Sequence, residues 1–255
     1  MRNAPRSTTR SHLLQAFCSG LSAAAAAGIR PDNLANRDRH LFLLTTIFHR
    51  PAFGATGLAA ALAVAILSGS GGAATRVPIP VTFVGDSVPA SITYTPKAQA
   101  ILSRGLRVRF DLRVCRRLVT VGCPYHGSTP TNALQAVRSL GRSLGEVLIV
   151  NVGYNESAVG YRKGIDQVMR AALAQGAVGV VWVTLREERE IYRQTNVAIR
   201  AAAQRWPQLR VADWNAYSTD KPWFSSDGLH MSAAGAQGLA QFLRPYVFRA
   251  ANANA

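Results

Sequence analysis

The chain has 255 residues, 48% of them hydrophobic and 16% charged, a balance that excludes both a disordered chain and a polytopic membrane protein. Three cysteines are too few for a disulfide-dense mini-scaffold or a four-cysteine zinc ribbon. The formal net charge of +16, from 29 basic and 13 acidic residues, raises nucleic acid, anionic lipid and acidic cell-wall polymer as partners without choosing among them.

Residues 1–50 mix basic side chains with the alanine tract 23–27 and keep no sustained period, so an irregular basic segment is expected there. No residue between Arg50 and Arg76 is charged. His49-Arg50, the apolar run 55–67 and the small residues Gly72-Ala73-Ala74 supply the basic flank, apolar core and cleavage-like end of a secretory signal within 51–75. The apolar run is shorter than the roughly 20 residues of a spanning helix, which disfavours a permanent anchor. A signal this far into the chain implies either a signal-anchor behind a cytoplasmic tail or a true start downstream of Met1, and the second is the favoured reading.

From residue 76 the texture changes, and a single domain is expected over 76–250 with a tail at 251–255. Apolar, β-branched runs predict strands at 78–84, 106–114, 146–151, 178–183 and 209–213. Helical patterns fall between them at 96–103, 131–140, 161–175 and 187–205, with a last helix at 232–247. Continuous apolar strands alternating with helices predict an α/β fold: a three-layer, doubly wound parallel sheet covered on both faces.

In such sheets ligands bind beyond the carboxyl ends of the strands. The first strand ends in Gly85-Asp86-Ser87, the third in Gly153-Tyr154-Asn155-Glu156, and the loop before the last helix holds Asp227-Gly228-Leu229-His230. Serine becomes a useful nucleophile only when a base takes its proton, and an imidazole serves best when a carboxylate fixes its tautomer. Only His126 and His230 lie within the domain, and Asp227 stands three residues before His230. Ser87 as nucleophile, His230 as base and Asp227 as its support follow, with the Ser87 N–H and the Asn155 amide as oxyanion donors. Blander roles stand beside these: Ser87 also suits a cap for the turn that Pro89 opens, and Asn155 a sharp bend. Asp86 reads as structural, bonding nearby backbone. Gly141-Arg142-Ser143-Leu144-Gly145 matches a Gly-x-Ser-x-Gly elbow, but a helix precedes it and a strand follows, the reverse of what that motif needs.

The three blocks Gly85-Asp86-Ser87, Gly153-x-Asn155 and Asp227-x-x-His230, in this order and spacing, resemble the SGNH, or GDSL-type, hydrolases over about 77–247. The resemblance implies a flavodoxin-like sheet, Ser87 as nucleophile, Asp227 and His230 as its partners and Asn155 in the oxyanion hole. Glu156 stands where the family commonly has aspartate. The family's separate oxyanion glycine has no clear match, although Gly122 and Gly127 lie in its zone. A reduced oxyanion hole is similar to that of members acting as esterases or O-acetyltransferases on cell-wall glycans.

Cys115 and Cys123 are expected to form a disulfide if the domain is exported, and otherwise to be two buried thiols. Arg104, Arg107, Arg109, Arg113, Arg116 and Arg117 cluster around the second strand, as a solvated surface or as a basic rim for an anionic polymer such as teichoic acid or peptidoglycan. No nucleic-acid motif accompanies the charge. Gly153 and Tyr154 are candidate substrate contacts, and Trp214, Trp223 and Phe224 fit either a sugar or acyl pocket or the core. The sequence therefore predicts an exported bacterial serine esterase, monomeric and without metal or cofactor, that removes O-acetyl or short acyl groups from a glycan or a small ester. An O-acyltransferase and a catalytically silent glycan-binding module are the alternatives; a nucleotide-binding domain is disfavoured, because the first block lacks a phosphate loop's glycines.

Overall fold

A computed structural model of the protein describes residues 77–252. The irregular basic segment, the signal-like stretch and the last three residues of the tail lie outside the described residues. Five strands, β1 (Ile79–Gly85), β2 (Leu106–Leu112), β3 (Val147–Asn151), β4 (Gly179–Val183) and β5 (Leu209–Ala212), form one sheet in the order β2-β1-β3-β4-β5, and every pairing is parallel. All residues of β3 and β4 are buried, which is why these strands read as unbroken apolar runs. Edge strand β2 alternates instead: Leu106, Val108, Phe110 and Leu112 pack into an apolar layer, while Arg107 and Arg109 are exposed.

Helices α1 (Pro96–Ser103), α2 (Ala133–Leu140), α3 (Tyr161–Ala174), α4 (Glu190–Ala202), α5 (Trp214–Ser218) and α6 (Ala233–Ala251) complete the three layers. Val84, Leu148, Val150, Val180 and Trp182 meet α2, α3 and α4 on one side of the sheet. Val81, Phe83, Ile149, Val181 and Val183 meet α1, α6 and the Trp214 ring on the other. Among the described residues no helix is long and apolar enough to cross a membrane.

Local chemistry sets the helix ends. Asn132 and Gln135 form a reciprocal capping box at the start of α2, so that helix begins at Ala133 rather than 131. Strand β2 stops at Leu112, two residues short of its predicted end, where Arg113 N–H turns to the Gly85 carbonyl. Gly141–Leu144 is a single 3₁₀ turn between α2 and β3, so Ser143 sits exposed before a strand and not after one.

The arginine cluster needs one correction. Arg116 is fully buried rather than part of a solvated rim: Nε donates to the Thr131 carbonyl (2.9 Å), Nη2 to Asp111 Oδ1 (2.9 Å), and Nη1 to the Asp111 carbonyl. A buried guanidinium is tolerable when its donors are satisfied in this way. Trp214 is likewise core, stacked on Trp223 with ring centroids 5.8 Å apart. Cys115 and Cys123 are joined by a disulfide (Cα–Cα 5.1 Å).

Candidate active site

The chain leaves β1 to build β2 on one side and β3 on the other, so β1 and β3 flank the point where the strand order reverses. A crevice opens there beyond their carboxyl ends. Ser87 lies two residues past β1. Gly85 has no room for a side chain: a Cβ would fall 2.5 Å from Pro89 Cγ and 2.7 Å from Leu112 Cδ2.

Asp86 is buried and joins the two strand ends. Its Oδ1 accepts the Val88 N–H, and its Oδ2 accepts the Gly153 and Tyr154 N–H groups, each at 3.1 Å. Burial pushes its pKa up to about 6, against the lowering effect of these bonds. Asp86 thus has the structural role its neighbours in sequence suggested, and it holds the Ser87 turn against the loop after β3. Among the described residues no group accepts the Ser87 N–H.

The imidazole arrives from the other end of the domain. Residues 225–230 form a tight turn, with Ser225 N–H bonded to the His230 carbonyl (2.8 Å) and Gly228 N–H to the Ser225 carbonyl (2.9 Å). Gly228 takes φ +70°, a left-handed conformation that disfavours other residues. Leu229 joins Val88, Leu185 and Tyr192 in a small apolar cluster, which anchors the turn beside the Ser87 segment.

His230 Nε2 lies 3.1 Å from Ser87 Oγ, and Nδ1 lies 2.6 Å from Asp227 Oδ2. Asp227 Oδ1 accepts the Ser225 hydroxyl (2.7 Å) and the N–H groups of Leu229 (2.9 Å) and His230 (3.0 Å). Burial raises the Asp227 pKa, but the bonds from His230, Ser225 and the two backbone groups outweigh it and hold the carboxyl well below the usual range. An ionised Asp227 can only accept, so it places the imidazole proton on Nδ1 and leaves Nε2 free to receive the Ser87 proton. The His230 and Asp227 side chains remain 52% and 44% exposed, so the three groups sit at an open rim that water reaches.

The loop after β3 carries the other predicted residues. Asn155 Nδ2 donates to the Arg116 carbonyl at 3.4 Å, and the Asn155 carbonyl accepts Arg117 Nε at 2.7 Å. Glu156 Oε1 accepts the Leu118 N–H at 2.8 Å. The loop closed by the disulfide therefore grips the Asn155 segment at three points. Gly153 is buried, and the Tyr154 hydroxyl accepts the Arg186 N–H (2.8 Å), so much of that pair's bonding capacity is spent inside the protein. Gly122 packs under the Cys115 carbonyl, and Gly127 lies in the Tyr125–Ser128 turn. The left-handed residue just after β2 is Cys115, with φ +66°, and no described group accepts its N–H. Nothing in the sequence singled it out, since glycine is the usual signal for such a backbone.

No protein-family model matches the chain, and no curated protein sequence does. Solved structures do. A carbohydrate acetylesterase family member from Sinorhizobium meliloti superposes with a TM-score of 0.53 at 12% identity, over 68% of this chain and 99% of that one. A candidate arylesterase from Agrobacterium tumefaciens strain C58 gives 0.53 at 14% identity, over 67% and 98%. The chain shares its three-layer α/β fold with these two structures. Within this fold, the segments after β1 and β3 deliver Ser87 and Asn155, and the loop before α6 delivers Asp227 and His230.

Proposed function

We propose that the protein is an exported serine ester hydrolase of the acetylesterase type. The observation that carries this reading is the chain of contacts from Ser87 Oγ through His230 to Asp227, at 3.1 and 2.6 Å. Ser87 Oγ attacks the ester carbonyl as its proton passes to His230 Nε2. The oxyanion rests on the Ser87 N–H, the Asn155 amide and the Cys115 N–H, whose turn is tied to the end of β1 by the Arg113–Gly85 bond. The alcohol leaves with the proton from Nε2. Water then gives a proton to the same nitrogen and attacks the acyl-Ser87 ester, and Nε2 returns that proton to Ser87 Oγ as the acid leaves.

The exposure of His230 and Asp227 favours water over a sugar hydroxyl as second acceptor, hence hydrolysis over acyl transfer. Export is supported by the signal-like stretch within 51–75 and by the disulfide, which persists in oxidising compartments. The substrate class is an acetylated or short-acyl glycan or small ester.

A fluorophosphonate probe should label the protein once per chain and fail on Ser87→Ala. Turnover of short against long p-nitrophenyl esters, with and without a sugar acceptor, then separates esterase from transferase. A protein that neither labels nor turns over any ester would be the silent glycan-binding module instead.

A further inference from the structure

A cavity of about 520 Å³ opens beside the loop after β3, lined by Arg117, Asn155, Glu156, Arg189, Ile191 and Tyr192 among others. That volume suits a small ligand of a few rings. Asn155 belongs to both this cavity and the proposed oxyanion hole. Tyr192 shares its apolar cluster with Val88 and Leu229, the chain neighbours of Ser87 and His230, and Tyr154 and Ile191 pack against that cluster. The cavity wall and the floor of the Ser87–His230 contact are therefore one packed unit.

The charges on the lining do not cancel. Arg189 is exposed, and the three glutamates around it in sequence are engaged elsewhere: Glu187 with Arg200 (3.1 Å), Glu188 with Arg186, and Glu190 with Arg193 (2.6 Å). Arg189 lies over the Tyr192 ring instead, its Cζ 5.9 Å from the centroid. Arg117 spends Nε on the Asn155 carbonyl, which leaves both Nη groups for a ligand. The one acid on the lining, Glu156, accepts the Leu118 N–H, and its burial pushes its pKa up to about 7. Two guanidiniums thus face a cavity whose single carboxyl is drawn toward its neutral form by burial. Planar forks of this kind match the oxygens of a carboxylate or a phosphate.

We propose that this cavity is an anion subsite, in which Arg117 and Arg189 hold a sugar bearing a carboxylate or a phosphate while its ester is presented to Ser87. The assignment rests on the esterase reading and narrows its substrate to acidic sugars. Ile191 and Tyr192 supply the apolar wall on which the sugar ring packs.

The test uses the full chain and three sugars: glucuronate, glucose 6-phosphate and glucose. As competitors of p-nitrophenyl acetate turnover, the two acidic sugars are expected to act at concentrations about 10-fold below glucose, and high salt should narrow the gap. Arg189→Gln should bring the acidic-to-neutral ratio close to one, and Arg189→Lys should restore part of it. Arg142→Gln, which removes an equal charge from the turn before β3, at the amino ends of the strands and away from the cavity, should leave the ratio unchanged. A strong preference for only one acidic sugar identifies which oxyanion the forks accept. Equal competition by all three sugars, or an Arg142→Gln effect as large as that of Arg189→Gln, overturns the subsite. Calorimetric binding to Ser87→Ala keeps the two readings apart. Charge-selective binding without ester turnover by the unaltered chain removes the esterase and leaves the subsite, whereas turnover without charge selectivity removes the subsite alone.

Discussion

Replacing Asp227 by asparagine preserves the side chain's shape and inverts its hydrogen-bonding polarity at one atom. Three donors converge on Oδ1, from Ser225 Oγ, Leu229 N and His230 N, while Oδ2 faces His230 Nδ1. The amide oxygen of asparagine stays with the three donors, so its NH₂ faces Nδ1 and forces that atom to accept. The imidazole proton moves to Nε2 and points at Ser87 Oγ, where it blocks proton abstraction. Restoring the productive tautomer means turning the amide over against three donors. The site is partly exposed and water offsets some of that cost, leaving about 1 kcal/mol per bond, or about 3 kcal/mol. Loss of the carboxylate's attraction for the imidazolium adds about 2 kcal/mol. A barrier raised by about 5 kcal/mol lowers kcat/KM on the order of 10³- to 10⁴-fold. Asp227→Ala leaves the tautomer free and should lose less, on the order of 10²- to 10³-fold. Steady-state turnover of p-nitrophenyl acetate by both variants, with urea midpoints to show intact folding, measures this. An asparagine variant within about 10-fold of the unaltered protein, or more active than the alanine variant, would refute the reasoning.

Three further outcomes follow from packing and titration. Asp86 is raised from 3.8 to about 6, so the stability linked to its protonated form is complete below 3.8 and lost as pH rises through 6, a loss of about 3 kcal/mol. Glu156, raised to about 7, acts in the same direction. Urea midpoints between pH 4 and 7 should therefore fall more steeply for the unaltered chain than for Asp86→Asn, and equal slopes would remove the effect. The disulfide closes the short loop 115–123, and Cys115→Ala/Cys123→Ala should lose about 2–3 kcal/mol by chemical denaturation together with ester turnover, because the loop grips Asn155. Gly85→Ala forces a Cβ against Pro89 and Leu112 and should cost about 1–3 kcal/mol; a crystal structure of the variant should show the Ser87 turn displaced.

The sheet was legible because its central strands are buried on both faces and carry runs such as Val147-Leu-Ile-Val150, which no other local signal contradicts. Boundaries were less legible wherever a side chain far along the chain decides them. Helix α4 begins at Glu190 rather than 187: Arg189 is extended, and the segment before it is held by the bond from the Glu187 N–H to Asn215, 28 residues away. Helix α6 runs to Ala251 instead of 247, carrying Pro245 within it and ending on a bond from Asn252 N–H to the Phe248 carbonyl. The five residues of α5 are too short to show a period. Ser87, Asp227 and His230 could be named from residue type and from their places at strand ends. The burial of Arg116 could not, since it depends on acceptors at Asp111 and Thr131 that only the fold brings around it. Arg189 was hidden for a similar reason: three glutamates stand beside it in sequence, and only the fold gives their carboxylates to Arg200, Arg186 and Arg193.

The contact between Ser87 and His230 joins residues 143 positions apart, drawn from the first strand and from the turn before the last helix. A growing polypeptide therefore carries Ser87 almost from the moment the domain begins to emerge, yet has no imidazole to meet it until nearly the whole domain has been synthesised. Joining residues so far apart closes a long loop, which costs more chain entropy than forming the local helices. On the proposed esterase reading, products that stop short of residue 230 lack the base and stay inert.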